Sequence, residues 1–216
     1  MFQNNLLMAA GLGAPDATLE FADSALSTSG PGTGTTYTFT GVGIGTAAAN
    51  RTVILCAYTF NGGASHSATI DGDSMTEDGE GVDSIFRSIF FRKDVASGTT
   101  ATFVITTGGN PYNCGIATWG AYGIGAKFDS SVVGGSTEST DINVPAGGVS
   151  IGYAINHNPN AATTWTNMTK RFGEEIEHTS QSGADLTSAT AVNPTVTCDW
   201  PTKDTGPLTI LSWSKA

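Results

Sequence analysis

The densest group of side chains that could do chemistry is a run of carboxylates between residues 71 and 83. Loops rich in carboxylate and carbonyl oxygens are the ligand sets that Ca²⁺ prefers. The spacing departs from a calcium-binding EF-hand loop, because Met75 stands where an oxygen ligand belongs and Thr76 replaces the required glycine. Asp71-Gly72 between two β-prone runs predicts a tight hairpin turn, which is the simpler interpretation of this acidic loop. The candidate calcium ligands are Asp71, Asp73 and Glu77.

The histidines do not form a recognisable catalytic or zinc-binding pattern. His66, His157 and His178 are isolated, so no HExxH or HxH pair exists. Ser65-His66 suggests a hydrolase, but the surrounding residues do not form the GxSxG turn that presents a nucleophilic serine. We therefore expect a loop at the mouth of a hairpin there.

A second carboxylate group lies near residue 175. Glu174, Glu175 and Glu177 could contribute to a carboxylate pair for glycoside hydrolysis. Lys170 and Arg171 just upstream favour a charge-balanced edge strand instead. The sequence thus predicts no catalytic residues, no enzyme activity and no cofactor.

Four tryptophans offer a different chemistry, because aromatic faces suit the CH-rich surfaces of sugars. Trp165 lies in a polar, Asn-rich stretch and Trp200 precedes Pro201, so these two are expected to be exposed. Trp119 and Trp213 are expected in the core, and packing of all four in the core or an interface is the alternative. The candidate glycan-binding residues are Trp165, Trp200, Asn158 and Asn160.

The elements that must position these residues are β-strands throughout. Hydroxyl and apolar residues alternate in Thr36–Thr40 and in several later runs, which is typical of a strand with one buried face. Arg51–Phe60 is apolar on both faces and predicts a central strand. Short strands at even spacing, with no amphipathic helix, predict an all-β antiparallel sandwich of jelly-roll type.

The domain boundaries follow from turn-rich segments. A weak break at Gly125–Thr137 could divide the chain, but we expect one sandwich domain over residues 16–216, because neither half has enough apolar strands to close two sheets. In the last third, Glu175–Ser180 is predicted to be a single strand.

Composition excludes several classes of function. Charged residues are 13% of the 216 residues and the net charge is −10, which disfavours nucleic acid and anionic membrane surfaces as partners. The first ten residues lack Lys and Arg, so no secretory signal is expected, and no apolar run could span a membrane. The chain is therefore expected to be soluble and made in the cytoplasm.

The three cysteines are predicted to be buried. Cys56, Cys114 and Cys198 lie in separate strand-like runs, which indicates buried thiols; a single disulfide between two of them is the alternative.

Residues 1–15 are predicted to form an arm that is either a frayed terminus or a docking segment for a neighbouring subunit. The apolar side chains of this arm are Phe2, Leu6, Leu7 and Met8.

The segment from Thr52 to Gly123 resembles a domain of bacteriophage and gene-transfer-agent virion proteins. The resemblance consists of an apolar strand at Val53–Ala57, a hairpin at Ala68–Thr76, an aromatic strand at Ser88–Arg92 and a Cys-Gly-Ile-Ala strand beginning at Cys114. It continues in Thr195–Thr197 and Ile210–Trp213.

The resemblance implies a structural or host-surface-binding role in a virion. The low-charge, Thr/Gly-rich β composition and the apolar N-terminal arm lead us to expect a capsid-decoration, head-spike, fibre or tail-appendage position, in which the protein forms homo-oligomers and contacts other virion proteins. A glycan-binding sandwich module that mediates host attachment is the alternative function.

Overall fold

The computed structural model describes residues 14–27, 35–61, 63, 65–135, 138–159 and 162–216. This part of the chain forms seventeen strands and no helix, so it holds no helix able to cross a membrane. The strands are β1 (Thr18–Ser27), β2 (Thr36–Gly43), β3 (Arg51–Phe60), β4 (His66–Ile70), β5 (Asp73–Ser74), β6 (Thr76–Asp83), β7 (Phe86–Asp94), β8 (Thr100–Thr107), β9 (Cys114–Tyr122), β10 (Ile124–Val133), β11 (Ser139–Asp141), β12 (Gly148–Asn156), β13 (Thr164–Thr166), β14 (Thr169–Ile176), β15 (Thr179–Ser188), β16 (Thr195–Asp199) and β17 (Leu208–Lys215).

The strands form four antiparallel sheets, two from each half of the chain. In the first half, sheet A has the order β1-β9-β3-β7-β6 and sheet B the order β2-β8-β4-β5. In the second half, sheet C has the order β10-β17-β12-β15-β14 and sheet D the order β11-β16-β13. If β5 and β6 are counted as one strand interrupted at Met75, each half has eight strands, and the two halves have the same strand order. The chain thus contains the same sandwich twice.

Each sandwich is a jelly roll, and the predicted all-β antiparallel fold of this type is confirmed. When the eight strands of each half are numbered 1 to 8 in chain order, sheets A and C both have the order 1-8-3-6-5. Sheets B and D both begin with the order 2-7-4. Eight strands in two facing sheets with this alternation are the jelly-roll arrangement. The single unit predicted over residues 16–216 stays a prediction, because the two halves are topologically complete yet share a core.

The two jelly rolls pack back to back in four layers, in the order B, A, C, D. One apolar core lies between sheets A and B, a second between sheets A and C, and a third between sheets C and D. Sheets A and C are therefore covered on both faces. This explains why nine of the ten residues of β3, and every residue of β12, are buried.

The equivalent last strands of the two halves share a sequence signature. β9 carries Ile116-Ala117-Thr118-Trp119 and β17 carries Ile210-Leu211-Ser212-Trp213. Trp119 lies opposite Ile54 of β3, and Trp213 lies opposite Val149 of β12. Both indoles are fully buried in the core between sheets A and C.

Each buried tryptophan reaches a carboxylate of the other half. Trp119 Nε1 donates to Asp185 of β15 at 2.9 Å, and Trp213 Nε1 donates to Asp78 of β6 at 2.8 Å. Each carboxylate is also paired with an arginine across its own hairpin, Asp185 with Arg171 at 2.7 Å and Asp78 with Arg92 at 3.1 Å. The two Trp–Asp–Arg groups link the halves in both directions.

The two hairpins use the same positions with the charges exchanged. A β-bulge falls between Glu77 and Gly79 in one hairpin and between Lys170 and Phe172 in the other. The bulged residue is Asp78 in the first hairpin and Arg171 in the second, and each pairs with the opposite charge on the next strand. We call the contact between sheets A and C the seam. A bulge changes the direction of one side chain, and here it directs a charged side chain to the edge of the seam.

Side-chain sizes are complementary across the seam. Ser88 Oγ lies 2.5 Å from Thr209 Oγ1. At the equivalent crossing, a Cβ on Gly115 would lie 2.3 Å from Tyr58 Cε1 and 2.7 Å from Gln181 Oε1, so only glycine leaves room for these larger side chains. The hydroxyl of Tyr153 donates to the same glutamine. Two small hydroxyl residues therefore meet at the first crossing, and a glycine faces larger side chains at the second.

One predicted boundary and one predicted strand differ in detail from the structure. The segment predicted as a weak break, Gly125–Thr137, lies where the second half begins, and most of it forms the edge strand β10, which pairs with β17 and has five of its ten residues exposed. The strand predicted over Glu175–Ser180 is instead a hairpin that turns at Glu177-His178. No glycine, proline or asparagine marks that turn, and Glu177 adopts a positive φ of 47°.

The cross-seam groups generate a prediction about stability. We expect Asp185→Ala and Asp78→Ala each to lower the free energy of unfolding by about 2–4 kcal/mol. Each substitution removes the acceptor of a buried indole N–H and the ion-pair partner of an arginine. Asp73→Ala is the matched control, since its side chain is 78% exposed and lies 3.8 Å from Lys93; we expect a change below about 0.5 kcal/mol. Urea unfolding curves measure all three, and equal midpoints for Asp185→Ala and Asp73→Ala would contradict the role assigned to the seam.

Candidate functional site

A cleft opens at one end of the seam, where both halves contribute residues. We call it the seam cleft, and its volume is about 560 Å³. The first half supplies the end of β3, the turn between β6 and β7, and the segment before β9; the second half supplies the end of β12 and the turn between β14 and β15. The lining residues are Phe60, Asn61, Ile85, Tyr112, Asn113, His157, Glu177 and His178.

The elements around the cleft are equivalent in the two jelly rolls. β3 corresponds to β12, and the β6–β7 hairpin corresponds to the β14–β15 hairpin. The two hairpin turns begin with residues in the same unusual conformation, Ser84 with a φ of 56° and Glu177 with a φ of 47°. The cleft therefore lies where matching ends of the two sandwiches meet.

One wall of the cleft is aromatic. Phe60 stacks on the buried ring of Phe86, with centroids 4.6 Å apart and planes inclined by 11°. Tyr112 lies 5.1 Å from Phe60 on the outer side, and the ring of His157 lies 5.2 Å from both phenylalanines. Tyr112 is 47% exposed, so this ring is the part of the wall that faces solvent.

The backbone holds this wall in place. Tyr112 N donates to Phe60 O at 3.0 Å, and Phe60 N donates to Asn113 O at 3.3 Å. Asn61 N donates to Ile85 O at 2.8 Å, which joins the end of β3 to the β6–β7 turn. Phe60 thus ends β3, and Tyr112, in the segment between β8 and β9, is tied to it by a backbone hydrogen bond.

The floor and the opposite wall are polar. Asn113 is 2% exposed and donates through Nδ2 to Thr179 Oγ1 at 3.2 Å, while its Oδ1 has no hydrogen-bond partner. His157 Nδ1 lies 3.2 Å from the Asp204 carboxylate. Glu177 and His178 are exposed on the β14–β15 turn. An unpaired buried acceptor costs about 1–3 kcal/mol, so a group that donates to Asn113 would be stabilised there.

These groups suit binding better than covalent chemistry. The His157–Asp204 pair resembles a base with an orienting carboxylate, but the described lining residues include no serine, threonine or cysteine nucleophile. Among the residues with assigned positions, no three His, Cys, Asp or Glu side chains are placed to hold a metal ion. An aromatic wall with a few placed polar groups is typical of a small-molecule binding site.

The predicted glycan residues lie elsewhere and are largely occupied. Trp200 was expected to be exposed, but it is 4% exposed and packs in the core between sheets C and D, so that expectation is wrong. Trp165 is half-buried, and its Nε1 donates to Ser182 Oγ at 2.9 Å. Asn158 is half-buried and its backbone oxygen accepts from Ser180 Oγ at 2.7 Å. Asn160 lies outside the described residues.

The calcium candidates are not brought together. Asp71 sits in the predicted hairpin turn with a φ of 50°, and its Oδ1 accepts from Thr102 N at 2.8 Å. Asp73 faces Lys93, and Glu77 continues into β6. Burial, followed by the nearby Glu80 carboxylate, raises the pKa of Glu77.

The remaining predicted residues have separate outcomes. The arm residues Phe2, Leu6, Leu7 and Met8 lie outside the described residues. The cysteines Cys56, Cys114 and Cys198 are buried free thiols, as predicted. The prediction missed the seam cleft, whose only signals in the sequence are two aromatic–asparagine pairs at strand ends, Phe60-Asn61 and Tyr112-Asn113.

Comparison with known proteins shows little similarity. No protein family matches the chain, and no curated protein matches it in sequence. A solved structure that is weakly similar is the crystal structure of the major capsid protein P2 from bacteriophage PM2, at 9% identity and a TM-score of 0.29, over 92% of this chain and 98% of that one. At this TM-score the similarity does not establish a shared fold or function.

The buried histidine His66 generates a prediction about pH. Its Nε2 lies 3.0 Å from Thr59 Oγ1, and its side chain is 2% exposed. Burial lowers the pKa of His66, although the Glu80 carboxylate at 3.8 Å opposes the shift. A lowered folded-state pKa means that the neutral ring is favoured in the folded protein, so its contribution to stability is present above the unfolded pKa and is lost as the pH falls.

We therefore expect the wild-type protein to lose more stability than His66→Gln when the pH is lowered from about 7 to about 5, the range around the ordinary histidine pKa. His178→Gln serves as the control, since His178 is exposed on a turn. Thermal unfolding at several pH values measures the difference, and parallel curves for the wild type and His66→Gln would contradict it.

Proposed function

We propose that this chain is a structural protein of a phage-like virion, exposed on the particle in a decoration, spike, fibre or tail-appendage position. The observation that carries the proposal is the pair of jelly rolls fused through one buried seam. Jelly rolls occur in viral capsid proteins and in lectins. Because a fold alone does not define a function, the surface of the molecule must support the assignment as well.

The surface of β10 provides that support. This strand is an edge of sheet C, and an unpaired edge is a ready site for contact with another chain. It exposes Phe128 by 56% and Val132 by 45%. Exposed apolar side chains on an edge strand favour assembly with a second copy or with another virion protein.

The electrostatic character is consistent with an outer position. A net charge of −10 disfavours contact with packaged nucleic acid. No catalytic role is proposed, and the protein would act through rigid β surfaces.

The test is incorporation into particles. We expect the protein to co-purify with intact virions through a density gradient, and Phe128→Asp to reduce its copy number in particles without lowering the melting temperature. Val82→Asp is the control, because Val82 is 46% exposed on the edge strand of sheet A. Quantitative mass spectrometry of the gradient fractions measures both. Recovery of the wild-type protein only outside particles would refute the virion role, and equal incorporation of Phe128→Asp would refute the role of β10.

A second function is favoured by one specific observation, the aromatic wall of the seam cleft. The protein would then be a glycan-binding module that contacts the host surface. Both functions are compatible in one molecule, since β10 and the cleft are formed by different residues.

A further inference from the structure

We infer that the seam cleft binds one terminal sugar residue that carries no negative charge, with its ring against Tyr112. This inference rests on the second proposed function, glycan binding, and it assigns both a site and a class of ligand. The site differs from the tryptophans that the sequence favoured.

The aromatic wall is built before any ligand arrives. Tyr112 is supported from behind by Phe60, which in turn stacks on the fully buried Phe86. A backbone hydrogen bond from Tyr112 N to Phe60 O at 3.0 Å ties the segment before β9 to the end of β3. Because little conformational freedom is left to lose, a weak ligand could bind without a large cost of ordering the site. A volume of about 560 Å³ accommodates a small sugar.

The polar groups around the wall match hydroxyl groups. Asn113 at the floor has an acceptor without a partner, and Asn61 and Glu177 add amide and carboxylate groups at the rim. A sugar presents a CH-rich face and a ring of hydroxyls that both donate and accept. One apolar wall opposite several acceptors is the arrangement that such a ligand requires.

Charge selects against acidic sugars. Glu177 lines the cleft and Asp204 stands behind His157, while the described lining residues include no lysine or arginine. Recognition of carboxylate, sulfate or phosphate groups normally uses arginine or lysine. Neutral hexoses and N-acetylhexosamines therefore fit, and sialylated or sulfated glycans do not.

A single ring stacked in this way binds weakly. Stacking contributes about 1 kcal/mol, which corresponds to roughly a fivefold change in affinity. The binding is therefore best measured with multimerised protein, because linked sites raise avidity without new contacts.

The experiment compares three variants on neutral and acidic glycans. Biotinylated protein is multimerised on streptavidin and applied to an array of neutral, sialylated and sulfated glycans, and the ¹⁵N-labelled monomer is titrated with methyl glycosides of glucose, galactose, mannose and N-acetylglucosamine. The variants are Tyr112→Ala, Tyr112→Phe and, as a control at an exposed aromatic outside the cleft, Phe128→Ala. Melting temperatures confirm that each variant folds.

We expect the multimer to bind neutral glycans, Tyr112→Ala to weaken binding by at least about fivefold, and Tyr112→Phe and Phe128→Ala to retain it. Shifts induced by the methyl glycosides should cluster at Phe60, Asn61, Tyr112 and Asn113. Neutral-glycan binding that survives Tyr112→Ala, with shifts elsewhere, would overturn the assignment of the site and leave glycan binding standing. Preference for sialylated or sulfated glycans would overturn the class of ligand. No binding to any glycan would overturn both this inference and the second proposed function.

Discussion

The structure depends on the burial of sheets A and C on both faces. A sheet in that position cannot leave polar groups to solvent, so every hydroxyl, indole and carboxylate between the sheets needs a partner inside the protein. The two Trp–Asp–Arg groups, the Ser88–Thr209 contact and the Gln181–Tyr153 hydrogen bond supply many of these partners. Tyr58 is an exception, since its buried hydroxyl has no partner. The seam is therefore specific as well as apolar, which ties the relative placement of the two jelly rolls to identified residues.

That placement creates the seam cleft. None of its walls is complete within one jelly roll, because Tyr112 and Asn113 come from the first half and His157 and Glu177 from the second. The same burial that fixes the seam thus positions an aromatic ring opposite polar groups. The molecule thus presents a small site at one end of the seam and an apolar edge strand elsewhere, formed by different residues.

The sequence predicts those elements whose burial pattern appears in residue types. The apolar run Arg51–Phe60 identifies a central strand, and the alternation in Thr36–Thr40 identifies a half-exposed one. Prediction from the sequence fails at β15, where four polar residues are fully buried: Thr179, Ser180, Gln181 and Ser182. It also fails at β10, because an edge strand shows a weaker alternation of polar and apolar residues. The duplication is hidden because the halves share little in sequence beyond the pattern Ile-x-Thr/Ser-Trp in their last strands. The cleft is hidden for a different reason, since its residues are spread from Phe60 to His178 and meet only through the fold.

The most direct test of the shared seam is scanning calorimetry of the whole chain. If the two jelly rolls depend on the core between sheets A and C, they must unfold together, and the calorimetric enthalpy should equal the van't Hoff enthalpy in a single transition. Two resolved transitions, or a calorimetric enthalpy near twice the van't Hoff value, would show that the halves unfold independently and would contradict the account.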